Sequence, residues 1–153
     1  MLIGAHFATG CCVQIGASRC SCDIALVGDY KYFTGPNCDQ DANFGIQNMV
    51  NLVVGANKIY RETNFGGMTG LGFVVQSATI YSSQAAPGNP TPRTSYSSGS
   101  NYLTAVTAGL EHNFTEVCSS MVFTHRDFHE GILGMAWVAS SEGFGGICDP
   151  KCV

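Results

Sequence analysis

Apolar positions along this chain recur at two spacings, and the changes between them outline its elements. Residues 22–29 (CDIALVGD) form a short apolar run followed by glycine and aromatic residues, which predicts a buried strand. From about Gln40 to Thr63, Ile46, Met49, Val50, Val53, Ala56 and Tyr60 fall on one face of a helix. Asn64-Phe65-Gly66-Gly67 stops that helix, and β-branched and aromatic residues from Leu71 to Tyr81 predict a second strand. Residues 82–100 carry Pro87, Pro90 and Pro92 among many Ser and Gly, so this stretch reads as a surface loop. Leu103, Val106, Leu110 and Phe114 then predict a second amphipathic helix, followed by strands at Val117–Thr124 and Ile132–Ala139. The order strand, helix, strand, helix, strand, strand implies an α/β (α+β) fold: a mixed sheet with helices packed on it. The first three strands are expected to be parallel, because helical crossovers join them.

Composition narrows the class. With 153 residues, 45% hydrophobic and 12% charged, the chain suits one globular domain and not a disordered segment. Seven Lys and Arg against eleven Asp and Glu, scattered without a basic stripe, argue against nucleic acid and anionic lipid as partners. Eight cysteines, none in paired CxxC knuckles, favour an oxidising compartment, and the Asn113-Phe114-Thr115 sequon agrees with the secretory pathway. The first 17 residues are apolar, but they lack a basic n-region and contain Cys11-Cys12. They are also too short to span a bilayer, so they read as an extra or misassigned start.

No catalytic constellation emerges from the residues themselves. His129-Glu130-Gly131 begins like HExxH, the helical motif that supplies two zinc ligands and a general base, but Leu133 stands where the second histidine would be. His125 and His129 are four apart, yet Asp127-Phe128 and Gly131 read as a turn between strands, which leaves two histidines in a polar loop. The glycines at 66, 67, 70 and 72 precede a strand and are followed by no GK[ST], so a turn explains them better than a phosphate loop. No serine sits in a GxSxG elbow.

One block is specific. FTHRDFHEGILGMAWV at 123–138, followed by GGIC at 145–148, resembles the ADAM (adamalysin/reprolysin) zinc metalloproteases, in particular the Kuzbanian and TNF-α-converting-enzyme branch. CDIALVGDYKYF at 22–33, KIYRETNF at 58–65 and GFVVQSATIYSSQ at 72–84 fall in the same order and at compatible distances. The resemblance implies the upper half of a metzincin fold, a twisted five-stranded sheet with two long helices. It divides the chain into an unmatched segment 1–19 and a partial catalytic domain 20–153 that stops before the zinc-binding helix. Three zinc-binding histidines and a methionine turn would then lie beyond Val153. By this resemblance the whole protein is a membrane-anchored, cell-surface endopeptidase, whereas the 153-residue chain is expected to hold no zinc and to cut nothing. The alternative is a non-catalytic secreted binding module or pseudoprotease fragment that uses its exposed edge strand.

The resemblance also places an extended peptide substrate against the edge strand at Leu133, Gly134, Met135 and Ala136. Unpaired backbone groups there would grip it, although Leu133, Met135 and Trp137 could instead simply line one packed face of that strand. It further pairs Cys22 with Cys118 and matches Cys148 to a family cysteine. Cys11, Cys12, Cys20, Cys38 and Cys152 are left without an assigned partner.

Overall fold

The computed structural model describes residues 2–6, 13–14, 20–64, 69–91, 96–110 and 117–136. Within these ranges the strands are β1 (Leu2–His6), β2 (Val13–Gln14), β3 (Cys20–Gly28), β4 (Gly72–Ile80), β5 (Ser119–Phe123) and β6 (Gly134–Ala136). The helices are α1 (Tyr30–Thr34), α2 (Ala42–Glu62) and α3 (Gly99–Leu110), and a 3-10 turn spans His129–Gly131. The strands form one sheet ordered β2-β3-β5-β1-β6, with β4 also paired to β3. The fold is a mixed α/β fold, and β3, β4 and β5 are mutually parallel as the crossovers require.

Strand β3 organises the core because it is buried on both faces. Ile24, Ala25, Leu26 and Val27 are all fully buried, the continuous apolar run expected of a central parallel strand. Ile24 and Leu26 pack with Met49 and Val53 of α2 and with Phe73 and Phe123. Val27 instead joins Tyr102, Leu103, Val106 and Leu110 of α3, together with Val122 and Phe128. One helix therefore covers each face of the sheet, which is why successive β3 side chains are apolar without alternation.

Local signals set the helix boundaries. Asp41 caps α2, its side chain accepting from the Asn43 and Phe44 amides at 2.9 and 3.2 Å, which satisfies donors that the first turn cannot. Near its other end, Asn57 of α2 donates to the Phe73 carbonyl at 2.8 Å and accepts from the Phe73 amide at 2.6 Å, fastening the helix to β4. The β3–β4 register shifts between Ile24 and Ala25, a bulge that the apolar pattern of β4 does not reveal.

Two elements lie outside the sequence expectation. The chain's first residues form β1, which runs antiparallel to β5 and parallel to β6, so a segment read as an extra start is an interior strand of the sheet. Helix α1 is a single short helix just after β3, in a glycine and aromatic stretch whose apolar pattern predicts no helix.

Candidate functional site

Asp29 directly follows β3 and is completely buried. One carboxylate oxygen accepts from the Tyr32 amide at 2.8 Å and so caps α1. The other accepts from the Tyr102 hydroxyl at 2.9 Å, the Thr124 hydroxyl at 2.7 Å and Arg126 Nε at 3.1 Å. The Asp29 amide also donates to the Phe123 carbonyl at 3.0 Å. A single side chain thus ties together the end of β3, α1, α3 and the segment leaving β5.

The partners suit this burial. The Arg126 side chain is 7% exposed, and its guanidinium carbon lies 4.9 Å from the Tyr102 ring centroid. Tyr102 packs tilted against Phe128 with centroids 5.5 Å apart. Burial, and after it the facing Asp29 carboxylate, pushes the Tyr102 hydroxyl well above its usual value, so it stays protonated and donates. A buried ion pair of this kind is costly to break, because removing one partner strands the other charge out of water.

From this anchor the chain travels to β6. The His129 amide donates to the Ser97 carbonyl at 3.0 Å, binding the 3-10 turn to the segment before α3. Gly131 then adopts φ +66°, a left-handed conformation that glycine takes without steric cost. Ile132 and Met135 turn inward: a Cβ placed on Gly99, the first residue of α3, would lie 3.4 Å from Met135 Cε and 3.5 Å from Ile132 Cδ1. Leu133 turns outward and is 85% exposed, while Gly134 and Ala136 are also exposed. Leu133 and Met135 therefore do not share one packed face, because Leu133 precedes the strand and the inward positions are Ile132 and Met135. Among the described residues β6 pairs only with β1, so its outer edge has no strand neighbour.

The profile of the reprolysin-type Metallo-peptidase family M12 matches residues 18–151. The chain belongs to the M12 metallopeptidases. Curated relatives agree. This M12 chain is 29% identical over 144 residues to the disintegrin and metalloproteinase domain-containing protein 10 homolog of Caenorhabditis elegans, a match covering 84% of this chain and 15% of that protein. It is 28% identical over 134 residues to disintegrin and metalloproteinase domain-containing protein 10 of Mus musculus, covering 87% of this chain and 17% of that protein. Against the Homo sapiens protein of the same name the identity is 27% over 134 residues, with the same coverage. The M12 chain thus spans about one sixth of the length of these relatives.

Cys22 and Cys118 are joined by a disulfide with their Cα atoms 5.5 Å apart, and both are buried. Cys38 is a buried free thiol that donates to the Asp41 carbonyl at 3.2 Å, and burial is the main cause that raises its pKa. Cys148, Cys11, Cys12, Cys152, Asn113 and Trp137 lie outside the described residues.

His125 is exposed and rests against Gly35, and 124–128 is not helical, so the four-residue spacing to His129 does not put the two rings on one helix face. Among the described residues no three His, Cys, Asp or Glu side chains gather as a metal ligand set.

The sequence reading missed the cluster of Asp29, Tyr102, Thr124 and Arg126. The usable signal was an acid closing an apolar strand just before a helix, together with an arginine in the polar return that follows β5.

Proposed function

We propose that this chain is the peptide-holding part of a zinc metalloendopeptidase domain of the ectodomain-shedding ADAM type, in the Kuzbanian and TNF-α-converting-enzyme branch. An extended segment of a membrane-protein substrate would add to the outer edge of β6 as an antiparallel strand. Leu133, Gly134, Met135 and Ala136 would receive it. The observation that carries this reading is the position of β6, pinned from behind by Ile132 and Met135 while its outer edge has no strand neighbour among the described residues. Main-chain pairing supplies affinity with little regard to side chain, and exposed Gly134 lets another backbone come close. Along the approach to this edge, Asp29 holds Thr124 and Arg126, and the His129 amide donates to the Ser97 carbonyl.

The sequence contains no HExxH, and the 153-residue chain by itself is proposed to bind peptide without cutting it. In the complete domain zinc would activate the attacking water. Membership of the ADAM relatives and the Cys22–Cys118 disulfide support a secretory-pathway or cell-surface location. No helix among the described residues is long and apolar enough to cross a membrane.

The test is hydrogen exchange with an extended synthetic peptide and its analogue N-methylated at alternate amides. Bound peptide should slow exchange at Gly134–Ala136, and N-methylation should abolish the effect. Unchanged exchange there would remove the peptide-holding role. Zinc at one per chain together with chelator-sensitive cleavage of the peptide would overturn the non-cutting part. The absence of HExxH also favours a second reading, a secreted module that only binds; it predicts peptide protection without hydrolysis even in the longest natural form of the chain.

A further inference from the structure

Among the described residues seven large apolar side chains are exposed, and five of them, Phe44, Leu52, Val54, Ile59 and Tyr60, belong to α2. That concentration on one helix marks a surface built to meet another apolar surface. At about 100° per residue, Phe44, Leu52, Gly55 and Ile59 fall within about 80° of one another, on the side of α2 away from the buried Met49 and Val53. Val54 and Tyr60 lie outside this stripe.

The stripe holds a notch and a projection. Gly55 stands between Leu52 and Ile59, which are 60% and 65% exposed, so two branched side chains rise about 10 Å apart along the axis over a glycine floor. Glycine weakens a helix interior, and nothing within one copy requires it here, since a Cβ at Gly55 would meet no atom within 4 Å. The matching projection is Phe44, half exposed in the first turn. It lies about 16 Å along the axis from Gly55 and so cannot fill its own notch.

The charges agree with an antiparallel pairing of two such helices. From Ala42 to Asn57 the helix carries no charge; Asp41 stands at one end and Lys58, Arg61 and Glu62 at the other. Asp41 precedes Phe44 by three residues, and Lys58 follows Gly55 by three. Laying Phe44 over Gly55 of an antiparallel copy therefore brings Asp41 across from Lys58, and the twofold axis repeats the match. Asp41 caps its helix through Oδ1 alone, which leaves its second carboxylate oxygen for that lysine. In this register Glu62 falls beyond the start of the facing helix and does not oppose Asp41.

We infer that this face of α2 is the contact between two copies of the chain, packed antiparallel about a twofold axis with Phe44 of each seated in the Leu52–Gly55–Ile59 notch of the other. The paired stripe is about 22 Å long, a small interface that suits a micromolar dimer. Helix α2 is fastened to β4, at the opposite end of the sheet from β6, so the outer edge of β6 stays open in both copies.

Sedimentation velocity of the full chain tests the contact. The chain should run at twice its monomer mass at about 0.1 mM and dissociate on dilution. Gly55→Leu separates a shaped notch from an unspecific apolar surface. It fills space that is open in the single copy and favours the helix, so circular dichroism should be unchanged, yet dimer affinity should fall by about tenfold or more. Leu52→Asp should also give a monomer, and Lys58→Glu should weaken the dimer most at low salt. A chain that stays monomeric throughout, or a Gly55→Leu variant that dimerises as tightly or more tightly, overturns the inference. So does a longer natural form that is monomeric while amide exchange at Gly55 is slowed, because another segment then occupies the notch. The dimer is read from mass and the substrate edge from exchange at Gly134–Ala136, so the failure of one is not the failure of the other.

Discussion

Replacing Asp29 with alanine should be among the most damaging single substitutions in the chain. The change leaves the Tyr102 and Thr124 hydroxyls and the Tyr32 amide without the acceptor they share, and leaves the Arg126 guanidinium without its carboxylate while still largely buried. Breaking a buried ion pair from one side costs about 3 to 5 kcal/mol, and a lost helix cap about 1 kcal/mol. These losses belong to one network and do not simply add, so about 3 to 5 kcal/mol is the expected total. Domains of this size have about 5 to 15 kcal/mol in all, so the variant should unfold at markedly lower urea, with a melting temperature down by roughly 6 to 20 °C. Urea titration followed by circular dichroism measures it. The double variant Asp29→Ala with Arg126→Met removes the stranded charge and should recover more than about 1 kcal/mol of the loss. A single-variant loss below about 1 kcal/mol, or a double variant no better than Asp29→Ala, would refute the account of Asp29 as the shared acceptor.

Alkaline pH should destabilise the fold, because burial raises Tyr32 to about 12 and raises Tyr102 further. The folded state keeps protons that the unfolded state loses above pH 10, so stability is intact below 10 and falls by about 1.4 kcal/mol per pH unit for each such tyrosine as pH rises; urea midpoints at stepped pH check the slope. Gly45→Ala should cost about 1 to 3 kcal/mol, since its Cβ would lie 2.5 Å from Cys38 Sγ and 2.7 Å from Ile80 Cδ1. Adding Cys38→Ala to that variant should restore part of the loss in the same titration. Replacing both Cys22 and Cys118 by alanine removes a link across 96 residues and should lower stability by about 4 to 5 kcal/mol on the chain-entropy model, read as a fall in the urea midpoint of the non-reduced protein.

The elements legible in the sequence were those whose burial is set by their own spacing. Met49 and Val53 are buried on the predicted face of α2, and the unbroken run from Ile24 to Val27 announced a strand covered on both sides. Strand β1 was not legible, because LIGAH has no alternation to distinguish it from an apolar leader, and its place depends on pairing with β5 and β6, more than a hundred residues later. The Asp29 cluster escaped for a related reason. Its members are separated by 73, 95 and 97 residues, and no local period links an acid to a tyrosine and an arginine that far away. The exposure of Leu133 was likewise hidden, since it follows from the left-handed turn at Gly131 and not from the alternation of the strand.

Strand β5 is bracketed by two fastenings to β3 of different chemistry. Cys118, just before it, is bonded to Cys22, and Thr124 and Arg126, just after it, are held by Asp29. A strand fixed at only one end can peel away residue by residue, but one fixed at both cannot fray. Amides along the β3–β5 ladder should therefore exchange together, in a single opening event as rare as global unfolding. A reductant frees one end only, turning that all-or-none opening into a progressive one that starts at Ser119 and stops at Phe123.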